Sequence, residues 1–425
     1  MVLKMRKMKA SGIEWIGEIP EGWETINPKA LFIQRKDRAS KGERQLTSSQ
    51  QYGILYQDEY MELTGSKVVT VEKDFNILKH VEAGDFVISM RSFQGGLEYS
   101  TKSGAISSAY VMLVPNLELV YPRFYRWLLK SSVYIDALQR TTNMVRDGQA
   151  MRYSNFAQVR LFTLPLDEQK SRADFLDVKC SSIDKMLSKT RSSIEEYKQL
   201  KQAVIKQAVT KGVRGKREMK DSGVEWIGEI PKEWDILNLV AHTSMLTPMR
   251  DRPENLDGPI PWIRIEDFDG KYISSSKASL GVSKETVQSM NLKIYPVGTI
   301  LCTSSCIMGK CAIVSRELVS NQRFIGIIPD QNTCENFLYY LMLSNSERMN
   351  YLATGALQAN LSRSSFEHLK VQFPSYQEQK EIADYLDAKC AEIDRLIAKK
   401  EQLVKELESY KKSLIYEVVT GKREV

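Results

Sequence analysis

Only three of the 425 residues are histidine, and His80, His242 and His368 stand in three different contexts. That leaves little material for a histidine-based triad or a histidine-rich metal centre. No G-x-x-x-x-G-K-[ST] loop occurs, and no G-x-G-x-x-G follows a strand, so the common phosphate cradles are missing. The six cysteines form no paired framework, which fits a reducing cytoplasm better than a disulfide scaffold. Cys302, Cys306 and Cys311 lie close together, but not as C-x-x-C and with no second pair to balance them. The longest apolar run, near Leu338–Leu343, falls far short of the ~18 residues of a membrane span. Lys4, Arg6, Lys7 and Lys9 are followed by no apolar segment, so neither a secretory signal nor a membrane location is expected. A net charge of +7 is a mild excess, compatible with a nucleic-acid partner.

Glycine and proline are also missing from two long windows, residues 166–211 and 375–420. Each window follows a proline (Pro165, Pro374, the latter with Ser375 next) and stops at a glycine (Gly212, Gly421), the start and stop grammar of a long helix. Ser375 with Glu378 makes a capping box, and Asp167 can cap the first window. Ile183, Leu187, Ile194, Tyr197, Leu200 and Val204 recur at helical spacing. So do Ile393, Leu396, Leu403, Leu407, Tyr410 and Leu414, with Lys400 filling one gap. Such heptad-like stripes predict that the two helices pack on each other. A run of 46 residues at 1.5 Å each would reach roughly 70 Å, too long to lie wholly against one small domain.

The windows belong to a larger repeat. Ser11–Pro20 (SGIEWIGEIP) and Ser222–Pro231 (SGVEWIGEIP) agree at nine of ten positions, 211 residues apart. ADFLDVKCSSIDKML (173–187) and ADYLDAKCAEIDRLI (383–397) agree at eight of fifteen, at an offset of 210. EQK recurs at 168–170 and 378–380, where acidic residues suit the first turn of a helix better than half of a nuclease site. Cys180 and Cys390 take equivalent places on the helices, as small buried residues. Between the repeated parts, GDFVIS, AYVMLVP, GTILCT and RFIGIIP are short β-rich runs, with helical patches at 123–138 and 335–352. Gly84, Gly95 and Pro115 match Gly298, Gly309 and Pro329 at an offset of 214, so a frame is shared while the polar residues differ. The expected fold is α+β: two globules and two long antiparallel helices forming a coiled coil, with an internal pseudo-twofold repeat.

The paired EWIGEIP openings followed by Trp23 and Trp234, the P…EQK…LD…ID helix starts, and the VTKG and VTGK endings carry a likeness. Together, in order and twice over, they resemble the specificity subunit of type I restriction–modification enzymes. The resemblance implies a first target-recognition domain over 1–165, a spacer helix over 166–212, a second recognition domain over 213–374 and a second spacer helix over 375–425. It implies a non-catalytic, sequence-specific subunit in which each domain reads one half of a split double-stranded DNA target. It also implies docking of methylation subunits, two of them, and of restriction subunits. S-adenosylmethionine, ATP and magnesium would then be used by those partners, and no cofactor by this chain. The rival expectation is a coiled-coil interaction scaffold that never reads DNA.

Base contacts are expected where the units share a frame but differ in polar residues. In the first unit, Arg91 suits guanine and Gln94 adenine. Ser92 and Lys102 suit phosphate or base, and Gly95 and Gly96 would let the backbone come close. In the second unit the equivalents are Ser304, Ser305 and Lys310, with Gln322 and Arg323 on a second limb and Arg264 nearby. The segment KGVRGKREMK (211–220) reads as a solvated linker or an arm that tracks the DNA backbone.

Overall fold

A computed structural model describes residues 6–71, 75–89, 95–141, 151–248, 251–305, 309–353 and 361–425. The chain divides into two compact units, 1–191 with 402–425, and 192–401. Each therefore takes one end of each long helix. The helices are continuous, Leu166–Lys211 and Tyr376–Val419. Each ends on a left-handed glycine, Gly212 (φ 74°) and Gly421 (φ 75°), a conformation that other residues adopt at a cost.

The first unit opens with the hairpin Met8–Ala10/Glu18–Pro20, and Glu24–Ile26 pairs with Leu161–Thr163. Its main sheet is antiparallel, in the order Phe32–Arg35, Val111–Pro115, Phe86–Ile88, Glu98–Tyr99. The second unit repeats each part: hairpin Met219–Asp221/Glu229–Pro231, pair Asp235–Asn238/Lys370–Phe373, and sheet order Thr243–Leu246, Phe324–Pro329, Ile300–Thr303, Cys311–Val314. A fifth strand, Tyr272–Ile273, runs parallel to Cys311–Val314 on the edge. The frame of glycines and apolar residues seen in the sequence is this sheet: Leu113 faces Phe86 in one unit as Ile327 faces Ile300 in the other.

Each helical patch is broken in two. Pro122–Leu128 and Ser132–Arg140 stand in place of one helix, and Glu335–Ser344 and Ser346–Leu352 in place of the other. The break explains a glycine in each unit. A Cβ on Gly96 would lie 2.4 Å from the Leu129 carbonyl oxygen, and one on Gly309 would lie 2.2 Å from the Ser346 Cβ. At Gly96 the backbone itself thus passes close to the helix break, a packing role where close approach to DNA was expected.

The antiparallel helix pairing is seen within each unit. In the first, Asp184 takes Lys411 at 2.6 Å, and Ile183 and Leu187 share a core with Leu414 and Val418. In the second, Lys201 reaches Asp394 at 2.7 Å, and Ile205, Ala208 and Val209 share a core with Ile382, Leu386 and Cys390. The stripe differs from the expected one. Leu200, Leu403 and Tyr410 are 47%, 43% and 49% exposed. The covered positions are Tyr197, Lys201 and Val204 on the first helix, and Lys400, Val404, Leu407, Lys411 and Leu414 on the second. Lysine stems cover apolar surface while their ammonium groups reach partners, Asp394 for Lys201, Asp184 for Lys411 and the Tyr197 ring for Lys400. A stripe chosen for apolar residues alone therefore lands one position early at Leu200, Leu403 and Tyr410, while Tyr197, Val204, Leu407 and Leu414 are covered as expected.

This register predicts unequal effects from two neighbouring leucines. Leu407→Asp, at a position packed against the first unit's core, is expected to destabilise by about 1–3 kcal/mol. Leu403→Asp should stay within about 0.5 kcal/mol. Denaturant unfolding of the two variants checks the order; equal losses would refute the register.

Candidate nucleic-acid interface

The repeated motifs build the frame on which the variable loops stand. Trp23 is wholly buried, stacks on Phe162 and donates its indole N–H to Glu168 Oε2 at 3.1 Å. Trp234 is wholly buried and donates to Glu378 Oε2 at 3.1 Å. An arginine covers each indole and binds the same carboxylate: Arg6 with Glu168, and Arg217 with Glu378. The EQ pair at each helix start does more than suit the dipole. Gln169 accepts the Tyr121 N–H at 2.7 Å and donates to the Leu119 and Leu164 carbonyls. Gln379 accepts the Cys334 N–H at 2.8 Å and donates to the Asn332 and Pro374 carbonyls. Each glutamine so fixes the loop that enters the helix following the main sheet. The Glu378 N–H reaches Ser375 Oγ only at 3.4 Å, and the Glu378 carboxylate is committed to Trp234 and Arg217 rather than to a capping box.

In the first unit the buried Arg172 also binds Glu168, and its other amino group donates to the Val418 and Arg423 carbonyls at 2.8 and 2.9 Å. The second helix's end is thereby tied to the hairpin side of this unit, where a Cβ on Gly421 would lie 2.5 Å from Pro20. Burial alone would raise the Glu168 pKa, but hydrogen bonds from Arg6, Arg172 and Trp23 outweigh it and bring the pKa down to about 2. A folded pKa below the unfolded one stabilises above the unfolded value, about 4.3 for a free glutamate, and that contribution is lost as pH falls through the folded value. Between about pH 4.5 and 2, the wild-type chain is therefore expected to lose more thermal stability than Glu168→Gln. Parallel melting curves in that window would contradict this.

The linker 211–220 fits neither expectation whole. Arg214 pairs with Glu381 at 2.7 Å, and Arg217 pairs with Glu233 and Glu378, which leaves Lys211, Lys216 and Lys220 exposed. Cys302 and Cys311 face each other across paired strands, both buried, with Sγ atoms 2.7 Å apart. Among the described residues no group of three or more histidine, cysteine or carboxylate side chains is placed to hold a metal ion. None of the described helices is long and apolar enough to cross a membrane.

In the second unit the expected residues converge on one end of the main sheet. The Ser304 N–H donates to the Arg323 carbonyl at 2.8 Å, and the Ser304 carbonyl accepts from Leu361. Lys310 returns to Thr303, with its N–H on the threonine hydroxyl at 3.2 Å. Ile263 pairs in parallel with Ser320, and the Asn321 N–H donates to the Ile263 carbonyl, so Arg264 begins at this same end. Gln322 and Arg323 are exposed, whereas Ser305 is buried. Arg264 pairs with Glu266 at 3.1 Å.

The first unit differs. Arg91, Ser92 and Gln94 lie outside the described residues. Lys102 is placed at the Asp85 end of the sheet rather than the Ile88 end, because Glu98–Tyr99 runs antiparallel to Phe86–Ile88 and carries the chain back to Asp85. Its ammonium binds Glu59 and lies 4.6 Å from the Tyr56 ring centre.

Each unit is an α+β fold that sets different polar residues on a shared sheet frame and takes one end of each long helix. Residues 235–407 match the family model described as the type I restriction modification DNA specificity domain. A type I restriction enzyme specificity subunit of Methanocaldococcus jannaschii, MjaIX, is 34% identical over 168 residues, 38% of each chain. The putative MjaX specificity subunit of the same organism is 23% identical over 96% of this chain and 95% of its own. A solved structure of a type I restriction–modification system superimposes with a TM-score of 0.74 at 12% identity, over 95% of this chain and 99% of that one. The HsdS subunit from Thermoanaerobacter tengcongensis gives 0.54 at 12% identity, over 95% and 98%. Along nearly its whole length the chain is similar to type I restriction–modification specificity subunits.

Proposed function

We propose that the chain reads a bipartite double-stranded DNA target, one half-site per unit, and scaffolds methylation and restriction subunits without catalysing a reaction itself. The observation that carries this reading is the convergence of Arg264, Ser304, Lys310, Gln322 and Arg323 on one sheet end, on a frame that the first unit repeats with different polar residues. Cations and amide side chains of this kind supply phosphate contacts and base-edge hydrogen bonds. Duplicated scaffold motifs suit two copies of one methylation subunit, and S-adenosylmethionine, ATP and magnesium fall to the partners. The first unit's Arg91, Ser92 and Gln94 belong to the same reading through the shared frame; Lys102, held by Glu59 at the other end, contributes least.

Electrophoretic shift of the chain with its methylation partner, titrated with salt, tests this. Affinity is expected to fall linearly on logarithmic axes as phosphate contacts are screened. Assembly without any DNA shift would favour the interaction scaffold.

A further inference from the structure

The first unit holds a groove of about 600 Å³ between strand Leu46–Ser49, the turn at Ser107–Tyr110 and an extended strap at 66–71. The strap is held in place. Gln45 accepts the Val71 N–H at 2.9 Å and donates to its carbonyl at 2.8 Å, and Gln57 binds Thr70 and the Val69 carbonyl. Leu46, Ala105 and Ile106 form an apolar floor, and hydroxyl and amide groups share the walls with Ile77 and the valines of the strap. Among the described residues that line it there is no carboxylate. The one cation among the described lining residues, Lys67, is exposed and makes no ion pair among the described residues.

The turn on its rim has a counterpart. Strands Val111–Pro115 and Phe324–Pro329 sit in the same register against their neighbours, so Ser107–Ala109 matches Asn321–Arg323. The local bonds agree as well: the Ser107 hydroxyl accepts the Ala109 N–H at 3.3 Å, and Asn321 Oδ1 accepts the Arg323 N–H at 3.1 Å. In the second unit this turn presents Gln322 and Arg323 on the proposed reading edge. In the first it presents Ser108 and Ala109, which carry no charge, and the cation comes from Lys67 on the strap.

We infer that this groove is a DNA-reading surface of the first unit, with Lys67 on a backbone phosphate and Ser108 beside a base edge. The inference rests on the proposed function and adds a site to it. A polyanion fits because the turn on the rim takes the place of Asn321–Arg323 in the second unit and the exposed Lys67 ammonium stands beside it, with no carboxylate among the described lining residues. Hydroxyl groups can donate to or accept from a base edge.

The test uses the assembled methyltransferase on duplexes carrying its mapped target, on the same duplexes with either half-site altered, and over a range of salt. Lys67→Ala is expected to weaken binding to all sequences alike and to lower the salt slope by about 1. Ser108→Arg, at an exposed turn position, is expected to weaken target binding about tenfold and to change discrimination in one half-site only. Wild-type affinity, discrimination and slope in both variants would overturn the groove while leaving the proposed function intact. Loss of assembly with the methylation subunit would also overturn it, by assigning the groove to a protein partner. If the unsubstituted complex ignored both half-sites, the proposed function itself would fall.

Discussion

Trp23→Ala is expected to destabilise the first unit by about 3–5 kcal/mol, and Trp234→Ala the second by as much. Each indole is fully buried, so its removal leaves a cavity that the flanking strand pair cannot close. The loss reaches further than packing. Glu168 and Glu378 lose an indole donor, and Arg6 and Arg217 lose the ring they cover. Because the same carboxylates anchor the long helices to the hairpins, the helix starts should loosen with the cores. Trp23→Phe keeps an aromatic ring but loses part of the indole's volume as well as its N–H, so a smaller loss of about 1–3 kcal/mol is expected there. Denaturant unfolding, with limited proteolysis to show which unit opens first, measures both. A loss below about 1 kcal/mol for Trp23→Ala would mean that the tryptophan does not pin the unit. For domains stable by about 5–15 kcal/mol, the expected loss is a large share of the total.

The long helices were legible in the sequence because glycine and proline speak locally: two windows without either became helices at Leu166–Lys211 and Tyr376–Val419. The hairpin motif was legible because it repeats. What it does was not, since the bond from Trp23 to Glu168 spans 145 residues and no local pattern announces it. The one available signal was the offset: Arg6 and Arg217 are separated by the same 211 residues as the tryptophans. Lys201 and Lys411 were missed as covered positions because their charge argues for solvent, while their stems pack and their ammonium groups find aspartates on the facing helix. Lys102 shows the opposite failure. Glu98–Tyr99 runs back antiparallel to Phe86–Ile88, so a residue eight positions after Gln94 reaches the Asp85 end of the sheet. On the second unit, reasoning from the shared frame did bring Ser304, Lys310 and Arg323 together, since antiparallel register carries over between repeats.

The largest functional effect is expected from exchanging residues 27–160 for the matching region of another type I specificity subunit. The cut points lie just inside the strand pair Glu24–Ile26/Leu161–Thr163, so Trp23, Glu168 and both helices stay native. The scaffold motifs then meet the partners unchanged, while every polar loop of the first unit is replaced. One half of the recognised motif should change completely and the other not at all. Loss of discrimination from each mismatched base pair is typically about 1–3 kcal/mol, so several changed bases abolish methylation of the original target. Changes in both halves would mean that the two units do not read independently.

The central claim is that two units on one scaffold read two separate blocks of DNA. It is tested most directly by mapping methylated bases in genomic DNA from cells that carry the chain with its methylation subunit. The account predicts one motif made of two defined blocks separated by a fixed run of unspecified bases. A single uninterrupted motif, or methylation with no dependence on this chain, would contradict it.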